Sequence, residues 1–217
     1  MTARPDLRLY ALDGGSVRAT GTDAAEFADD GAYDGRTFDL PVPWFLIRHP
    51  DGDLVWDTGM SRTRTDLGDW ATAGPSLLDQ LESHGLVPGD IRFVSLSHGH
   101  WDHSGNAGLF ARSTWIVDAA ERAVMFDDES RASAAMDDYG ALDGAEARLV
   151  TGDHDVFGDG SVVIVQTPGH TVGHTVLLLR LAEAGPIVLS GDLWHLVESR
   201  IHRRVPTFNV DRAQTLA

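Results

Sequence analysis

Short apolar runs recur along the chain: WFLIRH at 44–49, LVWDTG at 54–59, IRFVSLS at 91–97, TWIVD at 114–118, SVVIVQT at 161–167, TVLLLRL at 175–181 and PIVLSGD at 186–192. They are short, rich in Val, Ile and aromatic residues, and bounded by turn residues, so each predicts a strand. A helical period takes over between Ser76 and His84, where Leu77, Leu78 and Leu81 form an amphipathic pattern. Ser76 is placed to cap this helix and Gly85 stands just past its end. A second helix is predicted from near Ala119, and residues 125–148, acidic with a few apolar anchors, read as helical or lid-like. No repeat, low-complexity tract or Pro/Gly/Ser-rich linker divides the chain, which predicts a single domain over residues 1–217. Strands first, then mixed strands and helices, suit an α/β (α+β) fold with two sheets face to face and helices outside, a four-layer αββα sandwich.

Polar clusters fall just past the predicted strands: Asp57 after LVW, His98 after VSLS, His170 after IVQTPG and Asp192 after IVLSG. Loops at strand ends are where a rigid scaffold presents reactive groups, so the histidines are expected to converge. The densest cluster is SHGHWDH at 97–103. In an extended segment alternate side chains share a face, which would align His98, His100 and Asp102 and turn His103 toward a second position. Two adjacent metal sites fit that pattern, and neutral imidazoles with carboxylates suit zinc and, less selectively, manganese, iron or cobalt. Gly99 and Gly105 read as residues that let the backbone turn between ligands.

His170, in TPGHTVGH at 167–174, offers the first site a third nitrogen, while His174 reads as an orienting partner. Asp192, in SGD beyond a buried strand, would be costly as an unpaired carboxylate, a cost that bridging two cations resolves. The isolated His49, His84, His154 and His202 read as structural or surface residues.

Composition removes other classes of chemistry. The chain has no cysteine, which excludes disulfides, thiol nucleophiles and thiolate-bound metal. A formal charge of −16 repels polyanions, so nucleic acid and phosphodiester substrates are disfavoured. No apolar run approaches the roughly 18 residues of a membrane span. The start MTARPDLRLYALDGG has no apolar export segment, and the expected location is cytoplasmic.

SHGHWDH, PGHTVGH and SGD, in that order and with DTG (57–59) upstream, resemble the metallo-β-lactamase superfamily of metal-dependent hydrolases, over about residues 40 to 212. The resemblance implies an αββα sandwich carrying two divalent metal ions at one end, usually Zn2+, with Mn2+, Fe2+ or Co2+ as alternatives. By it, His98, His100 and His170 hold metal 1, Asp102 and His103 hold metal 2, Asp192 bridges, and Asp57 is structural. Residues 33–60 and 191–217 are further similar to the N-acyl-homoserine lactonases, the quorum-quenching branch. Some members of that branch carry a tyrosine three residues after the bridging aspartate and others a histidine; here the residue is His195.

The function so implied is a hydrolase that opens a lactone ring by a metal-bridging hydroxide, with Asp102 relaying a proton and His195 binding the substrate or protonating the leaving group. The implied partners are a small-molecule lactone and a second copy in a homodimer, with no nucleic acid and no membrane. Trp101, Met125, Phe126 and Trp194 are candidates to line an acyl pocket. The family's last metal-2 histidine lies beyond the helix that Asp211 begins to cap, so the sequence reads as lacking its C-terminal part. Neither His195 nor His202 transfers to that role. A thioester hydrolase resembling glyoxalase II, or a non-catalytic metal-binding module with an incomplete second site, are the alternatives. A β-lactamase would carry an export signal.

Overall fold

The computed structural model describes residues 6–64 and 68–217; residues 1–5, the start of the stretch read for an export segment, lie outside them. One sheet holds β1 (Arg8–Thr20), β2 (Thr37–Arg48), β3 (Leu54–Trp56), β4 (Ala71–Ala73), β5 (Phe93–Ser95), β6 (Thr114–Asp118) and β7 (Ala147–Val150), in the order β4-β1-β2-β3-β5-β6-β7. The other is an antiparallel set of β8 (His154–Asp155), β9 (Val162–Gln166), β10 (Thr175–Leu181) and β11 (Gly185–Leu189), ordered β11-β10-β9-β8. The helices are α1 (Thr22–Ala25), α2 (Leu77–Ser83), α3 (Trp101–Ser104), α4 (Ala119–Met125), α5 (Asp128–Arg131), α6 (Met136–Tyr139), α7 (Val197–His202) and α8 (Arg212–Thr215). Among the described residues none is long and apolar enough to cross a membrane.

The larger sheet is buried on both faces, which is why its central strands read as continuous apolar runs. Trp44, Leu46, Val55, Val94, Trp115 and Val117 face one way, against Leu77 and Leu81 of α2, Met125 of α4 and Tyr139 of α6. Their neighbours Ile47, Leu54, Trp56, Phe93 and Ile116 face the other way and pack on Ile164, Leu177 and Leu179 of the smaller sheet. Each such side chain contributes about 1.5–3 kcal/mol when fully buried. The mixed α/β architecture with two facing sheets is the one the sequence predicted.

β3, β5, β6 and β7 run parallel, so the ends of β3, β5 and β6 reach the same rim. That rim receives Asp57, His98 and Asp118. α2 begins and ends as expected: the Ser76 side chain accepts from the Asp79 N–H at 3.3 Å, and Gly85 takes φ +72°.

Several elements depart from the sequence reading. β1 was not expected, because Gly14-Gly15 within RLYALDGGSVRAT imitates a turn. The pair forms a bulge instead: the register with β2 shifts between Asp13 and Ser16, and Gly15 takes φ +129°. A Cβ on Gly14 would stand 2.6 Å from the Val42 carbonyl oxygen. Residues 125–148 take the helical of the two expected forms, with α5 and α6, and form no lid. Met125, Phe126, Tyr139 and Leu142 are buried in the core, and the segment closes with β7 pairing alongside β6. Gly99 and Gly105 do not serve unusual dihedrals, since neither has positive φ. Gly105 permits close approach: an added Cβ would lie 2.2 Å from the Ser61 nitrogen and 2.7 Å from the Gly59 oxygen, so the loop bearing His103 packs backbone to backbone on the turn after Asp57.

Candidate metal centre

β5 ends at Ser95, and the chain then passes through His98 and Gly99 before His100 initiates α3. The His100 carbonyl accepts from the N–H groups of His103 and Ser104 at 3.0 and 2.9 Å. This early helical turn changes the sequence-based alignment. His98 and His100 lie together, but Asp102 is swung to the side of His103 instead of sharing their face.

His170 arrives from the β9–β10 loop, turned by Gly169 at φ +138°. A Cβ on Gly169 would collide with Thr215 at the end of α8, so the last short helix packs directly on this turn. Asp192 lies in the short turn after β11, where the buried His174 Nε2 accepts from the Asp192 backbone N–H at 3.1 Å. His174 Nδ1 faces the Thr167 carbonyl at 3.2 Å. His174 thus fixes the two loops and stands behind the cluster.

Among the described residues two sets of metal-competent atoms result. Ligand atoms of His98, His100, His170 and Asp192 lie within 4.8 Å of one another, and those of Asp102, His103 and Asp192 do so as well. His170 Nε2 is 3.2 Å from His98 Nε2 and 3.1 Å from His100 Nδ1. Asp192 belongs to both sets: Oδ1 is 3.1 Å from His103 Nε2, and Oδ2 is 3.3 Å from His170 Nε2 and 3.8 Å from His98 Nε2.

The outer hydrogen bonds decide which nitrogens face inward. His170 Nδ1 donates to Asn209 Oδ1 at 3.0 Å, and Asn209 Nδ2 donates to Thr215 Oγ1 at 3.0 Å. His103 Nδ1 donates to Asp57 Oδ2 at 3.0 Å, and the same carboxylate accepts from the Ser97 N–H and hydroxyl at 2.6 and 3.0 Å. With its proton given to Asp57, the Ser97 hydroxyl accepts from His98 Nδ1 at 3.0 Å. Lone pairs on His98 and His170 are left pointing at one another and at a carboxylate oxygen, while His103 Nε2 faces Asp192 Oδ1. Such a set of inward acceptors repels itself unless cations sit among them, so the residues present fit divalent metal.

Burial pushes His98, His100 and His170 below the ordinary imidazole range, His100 and His170 to about 4, so they face the centre neutral. Burial alone would raise Asp192, but His195 and His103 hold it well below the usual carboxylate range. Burial would also lower His103, and Asp192, Asp102 and Asp57 together raise it instead. Asp102 is pushed up by burial.

A cavity of about 820 Å³ opens onto this cluster. His100, Asp102, His103 and Asp192 line it on the metal side; Val17, Leu40, Val42, Trp70, Trp101, Trp194 and Phe208 make apolar wall, with Asp23 and Glu26 among the polar lining. His195 also lines it, with Nε2 at 3.0 Å from Asp192 Oδ2 and its ring edge-on to Phe27 at 5.1 Å. Of the four expected pocket residues, Trp101 and Trp194 line the cavity. Met125 and Phe126 do not, because the face of α4 that carries them points into the core. Sequence reasoning missed Phe27, Phe208 and Val42, which are remote in the chain, and it missed Asn209 and Glu121, single polar residues with no motif to mark them. Asp57, expected to be structural, also orients His103.

Facing sheets with His and Asp donors gathered at one end define a class, the metal-dependent hydrolases. Residues 37–207 match the sequence model of the Metallo-beta-lactamase superfamily, and the chain belongs to that superfamily, in the branch that holds the curated N-acyl homoserine lactonases. It is 30% identical over 231 aligned positions to the N-acyl homoserine lactonase AttM of Rhizobium radiobacter, covering 97% of this chain and 85% of that one. An N-acyl homoserine lactonase of Bacillus sp. is 27% identical over 196 positions, covering 84% and 75%. A solved N-acyl homoserine lactone hydrolase, with the product N-hexanoyl-L-homoserine bound at its catalytic metal centre, superimposes with a TM-score of 0.77 at 23% identity, covering 100% of this chain and 86% of that one.

Proposed function

We propose that the chain hydrolyses the ring ester of N-acyl homoserine lactones. The observation that carries this reading is an apolar cavity ending on the His/Asp cluster, in a chain 30% identical to a curated lactonase. An acyl chain is taken by the apolar wall, and the lactone ring by the metal side. Glutathione thioesters carry carboxylates; in the described lining Asp23 and Glu26 stand against Arg18, which already faces Asp39 at 3.6 Å.

In this reading His98, His100 and His170 would hold one divalent cation and Asp102 and His103 a second, with Asp192 able to serve both, since one of its oxygens faces each ligand set. Zinc suits the nitrogen-rich first set, and manganese, iron or cobalt suit the same donors less selectively. When bound, such a pair supplies Lewis acidity for the ester carbonyl and hydroxide at neutral pH.

The chain's own residues do the rest. Trp101, Trp194 and Phe208 exclude water and hold the acyl chain, which turns part of the barrier into prearranged geometry. Asp102 is placed to take a proton from the attacking water at a carboxylate oxygen and to pass it to the departing ring oxygen. His195 donates from Nε2 to Asp192 and so holds the carboxylate that both ligand sets share, beside the cavity where the substrate would lie.

The test is proton release from acyl-homoserine lactones, simple lactones, thioesters and β-lactams. Acyl-homoserine lactones are expected to turn over fastest, with KM falling as the acyl chain lengthens. Faster turnover of thioesters than of any lactone would contradict the proposal.

A further inference from the structure

The three imidazoles of the first set come from loops on different sheets, 97–100 after β5 and 167–174 between β9 and β10. A carboxylate lies between these loops. Glu121, in the first turn of α4, is 5% exposed. Its Oε1 accepts from the Gly99 N–H at 2.8 Å, between His98 and His100. Its Oε2 accepts from the Thr171 hydroxyl at 2.7 Å and the Gly173 N–H at 2.9 Å, just past His170.

Glu121 is itself held. Asp118 caps α4 by accepting from the Ala120 and Glu121 N–H groups at 2.8 and 3.2 Å, and it accepts from Gln166 Nε2 at 2.5 Å at the end of β9. There is no slack at the contact: a Cβ on Gly173 would lie 2.4 Å from Asp118 Oδ1 and 2.6 Å from the Glu121 Cβ. Among the described residues no basic side chain pairs with Glu121. A buried carboxylate with no counter-charge is costly, and here burial raises its pKa while three donors oppose that rise. An apolar residue of similar size would leave those three donors without an acceptor, so the carboxylate also serves stability. What the carboxylate adds is one rigid group bonded to both ligand loops.

We infer that Glu121 is a positioning residue: by joining the Gly99 and Thr171–Gly173 backbones it sets the spacing of His98, His100 and His170, and so the affinity and geometry of the first cation. This rests on reading those histidines as a metal site. Glu121→Gln keeps the size but turns an amide NH2 toward one group of N–H or O–H donors, so that one of the two loops is released.

The test uses metal-free protein titrated with cobalt and, in competition with a chromophoric chelator, with zinc. Glu121→Gln is expected to weaken the tighter zinc event by about 10- to 100-fold, the usual scale for partners of metal ligands, and to shift the visible cobalt absorption. Thr171→Val, which removes one of the three bonds and keeps the carboxylate, is expected to weaken it by a smaller factor, and Thr171→Ser to keep wild-type values. These variants remain informative if Glu121→Gln does not fold. Unchanged zinc affinity and cobalt absorption in the Val variant and in folded Glu121→Gln, with only a lower unfolding midpoint, would overturn the proposal and leave the metal site standing. Wild-type protein that binds neither metal would overturn both.

Discussion

Asp192→Asn is expected to lower lactone turnover by about 10²- to 10³-fold or more, the scale seen when a group that stabilises transition-state charge is lost. Asp192 is the one side chain shared by both sets of ligand atoms. Its backbone N–H still donates to His174 in the variant, so the turn after β11 keeps its anchor. What is lost is the negative charge between His103 and His170, where one carboxylate oxygen faces each. A neutral amide offers a single acceptor oxygen and cannot face both sets with equal charge. Steady-state kinetics with a short-chain acyl-homoserine lactone, beside a far-ultraviolet spectrum showing native strand content, read the effect. Turnover within tenfold of wild type would remove Asp192 from the centre of the chemistry.

The second large effect concerns stability. Asp57→Ala is expected to destabilise the metal-free protein by about 3 kcal/mol or more, because three donors, the Ser97 N–H, the Ser97 hydroxyl and His103 Nδ1, are left buried and unpaired. For a chain of this size that corresponds to a fall in melting temperature of roughly 6–12 °C. Part of the loss comes from the backbone. Asp57 has φ +57°, a left-handed conformation that Asn and Asp tolerate better than Ala. Asp57→Asn should therefore destabilise less than Ala while still failing to accept from both Ser97 and His103. Denaturant midpoints of the two variants measure the difference. An alanine variant as stable as wild type would mean that the hydrogen bonds at Asp57 carry little of the rim's stability.

Much of this molecule was legible in its sequence because the central strands of its larger sheet are buried on both faces, and double burial leaves uninterrupted apolar runs such as WIV at 115–117. β1 was hidden for a local reason, Gly14-Gly15, where a bulge and a turn use the same residues. β4 and β8 are too short to carry a pattern. At the candidate site, six metal-competent residues were named from the chain because four of them crowd into 98–103, and the structure brings all six together in space. Their grouping follows the one the motif resemblance implied and not the one strand alternation implied. The start of α3 at Trp101 moves Asp102 away from His98 and His100, and a strand-like alternation cannot foresee that. The cavity wall was the least legible part. Phe27, Val42 and Phe208 meet only through the fold, while Met125 and Phe126, closer in sequence to the histidines, belong to the core. Glu121 looked like an ordinary acidic residue in the first turn of a helix, and its three hydrogen bonds depend on loops that are distant in the chain.

Two neighbouring divalent cations, held by this chain's histidines and aspartates, are expected to support lactone hydrolysis. Calorimetric titration of metal-free protein with zinc, with acyl-homoserine lactone hydrolysis assayed at each addition, tests it most directly. Binding is expected to end at two equivalents per chain, with activity absent before zinc is added and rising as the second equivalent is taken up. Full lactone hydrolysis by the metal-free protein, or no zinc binding at all, would contradict it.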